Sequence, residues 1–255
     1  MSRYLTTDAN ASHSLRRLIC AFSLLISILT FAPAGGAQKR RGFIGRGTAV
    51  VVDERLAVLR DKPDLNSRLV RRLGRGRPVT ITGAGRSPDG VNFYRVAVTR
   101  RTRGWLQAES VASPARRGED EKLLRLIRTS EDFDRIARAR IFLDVFPAST
   151  FRPAVLQLYG DAAEEAAAKL SADAGRRLSK EEMAAGGAPT HSYFMNYNGL
   201  DRYARQGITF VFDRATRAFH YDGKSWREIV RRYPRSPEAE TARQRLAVLS
   251  TVSAR

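Results

Sequence analysis

The feature that most restricts this chain is a change of hydrophobic period between residues 112 and 121. Before it apolar residues alternate; after it they recur every three or four positions. From Ala49 to Val111 the run "AVVVDERLAVL" alternates around Val50, Val52, Leu56 and Val58. The runs "RLVRRL", "RPVTITGAG", "NFYRVAV" and "RGWLQAESV" follow. Turn signals separate them at Lys62-Pro63-Asp64, Gly74 to Gly76, Gly83-Ala84-Gly85 and Pro88-Asp89-Gly90. Five short runs rich in β-branched and aromatic residues predict a small five-stranded β-barrel over 49–112. Leu56, Val58, Val70 and Leu73 are its expected inward residues.

Residues 113–120 read as a polar linker, and 121–255 as a mainly α-helical domain. Leu123, Leu124 and Ile127 mark a first helix. Phe133, Ile136, Ala137, Ile141 and Val145 lie near one face of a second, over 131–146. Thr129, three residues before Asp132, is placed as a capping box would place it. An alanine-rich helix then runs to about Leu170, and "AAGGAPTHS" (184–192) reads as an exposed loop. The segment 207–223, "GITFVFDRATRAFHYDG", is expected to insert a β-hairpin. Trp226, Ile229, Val230 and Tyr233 form one closing helical stripe, and Ala239, Ala242, Leu246 and Leu249 the next. Ser236 is the expected cap of that last helix, with Pro237 at its first position. The expected architecture is thus multi-domain, β followed by α.

The N-terminus concerns destination. Arg16-Arg17 precede the apolar run Leu18 to Phe31, and the small residues Gly35 and Ala37 precede Gln38. Basic flank, apolar core and small-residue exit are the parts of a secretory signal peptide over 1–37. The run rises only about 21 Å as a helix, short of a hydrocarbon core of roughly 30 Å. The expectation is a secreted or periplasmic protein of the cell envelope with no stable transmembrane span after cleavage. The only cysteine, Cys20, falls inside this run, which leaves the mature chain without disulfide or thiolate. Residues 38–48 read as a flexible basic segment.

The formal net charge is +19, which raises acidic partners. Seven of the 23 residues from Glu54 to Gly76 are basic. These arginines alternate with apolar residues and with acids along the chain, the pattern of a solvated face. With export expected, nucleic acid is not, and polyanion binding through arginine stands as a further alternative.

Two resemblances follow from these residues. Leu56, Val58, Pro63, Val70, Leu73, Gly76, Val79, Ile81, Phe93-Tyr94-Arg95-Val96 and Gly104-Trp105-Leu106 occur in the order of a bacterial Src-homology-3 domain, which 49–112 resembles. Phe93 stands where that family has Trp. The turns Phe146-Pro147-Ala148-Ser149 and Tyr233-Pro234-Arg235-Ser236 resemble the joints of tetratricopeptide helix pairs in bacterial envelope proteins. They lie 87 residues apart, far from the roughly 34-residue period of a regular array. The resemblances imply binding: a peptide or peptidoglycan ligand at the barrel, and a protein partner at the helices.

Catalytic groups are sparse. A zinc amidase needs about three imidazole or carboxylate ligands, whereas the mature chain has His191 and His220 with no partner at helical spacing. No nucleophile elbow or phosphate-cradling glycine loop occurs. The expectation is a non-catalytic adapter with no cofactor and no metal. A cell-wall hydrolase using a carboxylate pair, some 5–9.5 Å apart, is the alternative. In the barrel, alternation turns Phe93 and Tyr94 to opposite sides, so one should stand on the surface. With Trp105 these aromatics are the candidate contacts for a ligand, and Asp61 and Asp64 the candidates for binding its amine.

Overall fold

The computed structural model describes residues 47–253. The expected signal peptide, Cys20 and nearly all of the 38–48 segment lie outside the described residues. Seven short strands form one antiparallel sheet: β1 (Thr48–Val51), β2 (Val58–Arg60), β3 (Leu69–Arg72), β4 (Pro78–Arg86), β5 (Asn92–Ala97), β6 (Arg103–Gln107) and β7 (Val111–Ala112). Their order is β3-β2-β6-β5-β4-β1-β7, and the two ends do not pair with each other. The expected closed barrel of five strands is therefore corrected to an open sheet of seven. The five apolar runs are present, but two of them break. Turns after Asp53 divide the first run into β1 and β2, and a 3-10 turn at Ala108–Ser110 divides the last into β6 and β7.

β1 is the hinge between two cores. Ala49 and Val51 pack with Leu59, Val79, Val96 and Leu106 inside the sheet module. Val50 and Val52, on the opposite face, pack with Leu123, Ile127 and Ile136 of the helical part. An apolar run without polar interruption is what a strand buried on both faces requires. Strand β2 corrects a second expectation: Ala57 and Leu59 point inward, Leu56 and Val58 are half-buried, and Val70 is 43% exposed. The turn between β1 and β2 resets the phase by one residue, and a one-residue shift exchanges the two faces of a strand.

The chain then becomes helical: α1 (Glu119–Arg128), α2 (Asp132–Val145), α3 (Arg152–Arg177), α4 (Lys180–Gly186), α5 (Thr190–Met195) and α6 (Asp201–Ala204). A hairpin of β8 (Phe210–Asp213) and β9 (Ala218–Tyr221) follows within the expected 207–223 insertion, and α7 (Lys224–Arg232) and α8 (Glu238–Ser253) close the chain. The long α3 is the centre. Its row of Ala162, Ala163, Ala166 and Ala167 is buried, which lets neighbouring elements approach closely. Its Ser171 and Glu164 side chains accept the outward N–H groups of Phe219 and Tyr221, tying β9 to the helix. Among the described residues, no helix is long and apolar enough to cross a membrane.

Three local expectations are corrected. Thr129 does not cap α2; its hydroxyl donates back to the carbonyls of Arg125 and Leu126 at the end of α1. The segment around His191 is not all loop, because α5 begins at Thr190. Ser236 contributes its carbonyl, not its hydroxyl, to the start of α8. The Ala239 N–H donates to that carbonyl at 3.1 Å, while Ser236 Oγ lacks a partner among the described residues. The two aromatic-Pro-x-Ser turns nevertheless share one backbone pattern. Ser149 and Ser236 donate their N–H groups to Phe146 and Tyr233, and their carbonyls accept from Arg152 and Ala239.

Candidate binding face of the sheet

Direct antiparallel partners point to the same side of a sheet. The register aligns Gly83, Arg95, Trp105 and Arg60 as successive partners across β4, β5, β6 and β2. The next row on this side is Gly85, Phe93 and Gln107. Tyr94 and Val96 alternate to the inner side and join the core. Of the expected ligand contacts, both Phe93 and Tyr94 are buried, at 1% and 9% exposure. The expectation that one of them stands on the surface is corrected. Phe93 is covered on the outer side, and the Tyr94 ring, at the rim of the core, carries the Arg116 guanidinium 4.7 Å from its centroid.

Trp105 is the aromatic that remains half-exposed. Its indole crosses β5 diagonally and rests on Gly85, where a Cβ would lie 2.9 Å from Cζ3. Pro63, from the loop after β2, stands 3.7 Å from the same point. A residue other than Gly at 85 would lift the ring, so the "GAG" sequence that reads as a turn signal is instead a strand segment that seats an indole. Gly85 and Pro63 together make a fixed base for it.

Asp61 and Asp64 border this base, but both are engaged inside their own loop. Asp64 Oδ1 accepts the Asn66 N–H at 2.8 Å, and Asp61 Oδ2 accepts from Arg68 Nε at 3.4 Å. Arg60 holds the same loop by donating to the Ser67 carbonyl at 2.6 Å. Arg95 and Arg103, on the same side of the sheet, are exposed and have no ion-pair partner among the described residues. Sequence reasoning missed Arg60, Arg95 and Gly85, because their meeting with Trp105 depends on strand order and register. The adjacency of "FYR" to the "GW" run was the only available signal.

Compared with protein-family models, curated proteins and solved structures, the chain matches none.

Several charged groups elsewhere are occupied by structure. Arg138 on α2 is buried; its Nε donates to the Val52 carbonyl at 3.2 Å and its NH1 to Ser130 Oγ at 2.6 Å. Asp53 receives the Arg55 guanidinium at 2.6 Å and lies 4.0 Å from Arg138. That bond to Arg55 holds the Asp53 carboxyl below the usual carboxylate range, against the opposing effect of burial. Arg75, in the turn between β3 and β4, spans Glu54 and Asp134 across a cleft of about 580 Å³ between sheet and helices. A groove of about 440 Å³ runs between the hairpin and α8, floored by Leu246 and Leu249. His220, at its edge, contacts Glu164 at 2.9 Å. Among the described residues, no three His, Cys, Asp or Glu side chains are grouped to hold a metal ion.

Proposed function

We propose that the chain is a non-catalytic adapter of the cell envelope. Its sheet module holds a peptide or cell-wall ligand, in the manner of a Src-homology-3 domain, and its helical part holds a protein partner. The observation that carries this reading is the Trp105 indole, seated on Gly85 beside Pro63 and only half-buried. A rigid ring on a glycine base loses little conformational freedom on binding and stacks on proline, peptide backbone or a sugar ring. The loop of Asp61 and Asp64 forms one wall of the site. Two helix joints of shared hydrogen-bond pattern support the tetratricopeptide-like reading of α2–α3 and α7–α8.

Co-sedimentation of the purified chain with isolated cell wall tests the ligand side. Trp105→Ala is expected to weaken retention about tenfold, the loss of one stacking contact. Equal retention by the folded variant overturns the assignment of the site. Release of soluble fragments from the wall, abolished by a single carboxylate substitution, overturns the non-catalytic reading.

A further inference from the structure

We infer that the Trp105 face takes an anionic glycan, a sugar chain bearing carboxylates, laid across the strands. The inference rests on the proposed binding role of this face and gives its ligand a chemical class. Arg60 and Arg95 flank Trp105 as its direct partners on the two neighbouring strands. Strands are about 4.8 Å apart, so the Cα positions of the two arginines lie about 10 Å from each other. Arg60 is tied to the Ser67 carbonyl, while Arg95 is exposed on the strand that the indole crosses. Arg103 extends the basic row along β6, two residues before Trp105 on the same side. The acids of the Pro63 loop, Asp61 and Asp64, already accept hydrogen bonds within that loop. An aromatic ring with the exposed cations Arg95 and Arg103 on the same side of the sheet is therefore what the face presents.

That arrangement selects among ligands. An amine ligand at the ring faces the exposed Arg95 and Arg103 and acids that are already engaged, which disfavours the ligand amine expected at Asp61 and Asp64. A neutral ligand uses the ring and leaves Arg95 idle. A sugar ring offers a flat C–H surface to the indole, and carboxylates on the adjoining sugars can pair with the exposed guanidiniums of Arg95 and Arg103 on the same side of the sheet. Arginine pairs with carboxylates through parallel N–H donors, which a single planar fork supplies. An acidic peptide or a nucleic acid supplies negative charge too. The single ring favours the glycan over nucleic acid, because single-stranded nucleic acids stack successive bases on several rings.

The test measures binding of the purified full chain to polygalacturonate and to the same polymer with its carboxylates reduced to alcohols. The expected result is binding to the acidic polymer at least about tenfold tighter than to the reduced one. Arg95→Gln, an exposed substitution, should weaken binding to the acidic polymer about tenfold, and Trp105→Ala should weaken it similarly. Arg128→Gln, an exposed charge removed from the end of α1, should leave it within about twofold, because a surface charge beyond a Debye length of about 8 Å is screened. If both polymers bind equally and Trp105→Ala weakens both, the face binds sugar but the anionic class is wrong. If folded Trp105→Ala alters neither polymer nor cell-wall retention, the binding role itself falls. Tighter binding of polyglutamate or of a single-stranded oligonucleotide, with the same Arg95 dependence, overturns the glycan in favour of that polymer. Absence of polygalacturonate binding also overturns it.

Discussion

Asp53 and Arg138 are the pair through which single residues matter most. Asp53 closes β1, and Arg138 reaches it from α2 while bonding the adjacent carbonyl of Val52. A buried guanidinium is tolerated only with partners, and here one of them, the Val52 carbonyl, lies 86 positions from Arg138 in the sequence. The folded pKa of Asp53 is depressed, so its contribution is complete above the unfolded carboxylate value of about 3.9 and is lost as pH falls through the lower folded value. The stability read from denaturant unfolding should therefore fall as pH drops from about 5 towards 3. Asp53→Asn should cost about 1–2 kcal/mol at pH 7 and flatten that dependence. An unchanged pH slope would show that Asp53 takes no part. None of this was legible in the sequence, where Arg138 reads as one more solvated arginine. It lies a single helical turn before Phe142 on the buried stripe, and only the position of β1 reveals why a charge belongs there.

At the scale of elements, periodicity was a good guide where one face meets one core, and a poor one elsewhere. α1 buries the residues its stripe announces; α7 buries Trp226 and Ile229 and leaves Val230 half-buried. Strand β2 departs from its pattern, because a turn of unannounced length sets its phase, and Phe142 joined the core of α2 although it lies outside the expected stripe. α3 adds a case that pattern reading passes over. Gly160 is buried in mid-helix, and a Cβ there would lie 2.6 Å from Ser225 Oγ and closer still to the Trp226 indole. The missing side chain is what allows α7 to cross α3. Gly160→Ala should thus cost about 1–3 kcal/mol by overpacking, outweighing a gain in helix propensity of about 1 kcal/mol. Stabilisation in a denaturant titration would show that α7 can move aside. The Trp105 seat was legible in its ring and not in its neighbours, since propensity names the strands but not their order.

The whole molecule joins sheet and helices through surfaces that each part needs. Val50, Val52 and Ala112 belong to the helical core by packing and to the sheet by hydrogen bonding. All described residues fall in one compact unit, Phe43–Arg255. The change of period after residue 112 marks where helices begin, and it is silent on the strand that both cores share. The two tryptophans stand one in each part, Trp105 in β6 and Trp226 in α7. Trp105→Phe and Trp226→Phe variants each leave one reporter, and their fluorescence transitions in denaturant should share a midpoint, as one cooperative unit requires. Midpoints that separate once corrected for each substitution's own cost would show two independent folding units.

β1 has one more consequence. A strand with one wet side is held in place by its own pattern, since a slip would drown apolar groups in water. β1 is dry on both sides, and sliding it by one residue would merely exchange valines between the two cores. Oiliness cannot tell it where to stop. The stop comes from its polar end: Val52 and Asp53 both donate their N–H groups to the Ser110 carbonyl, and beyond them wait Arg55 and Arg138. The arginines of this chain thus act at that point as a latch on alignment, setting which valine answers to which core.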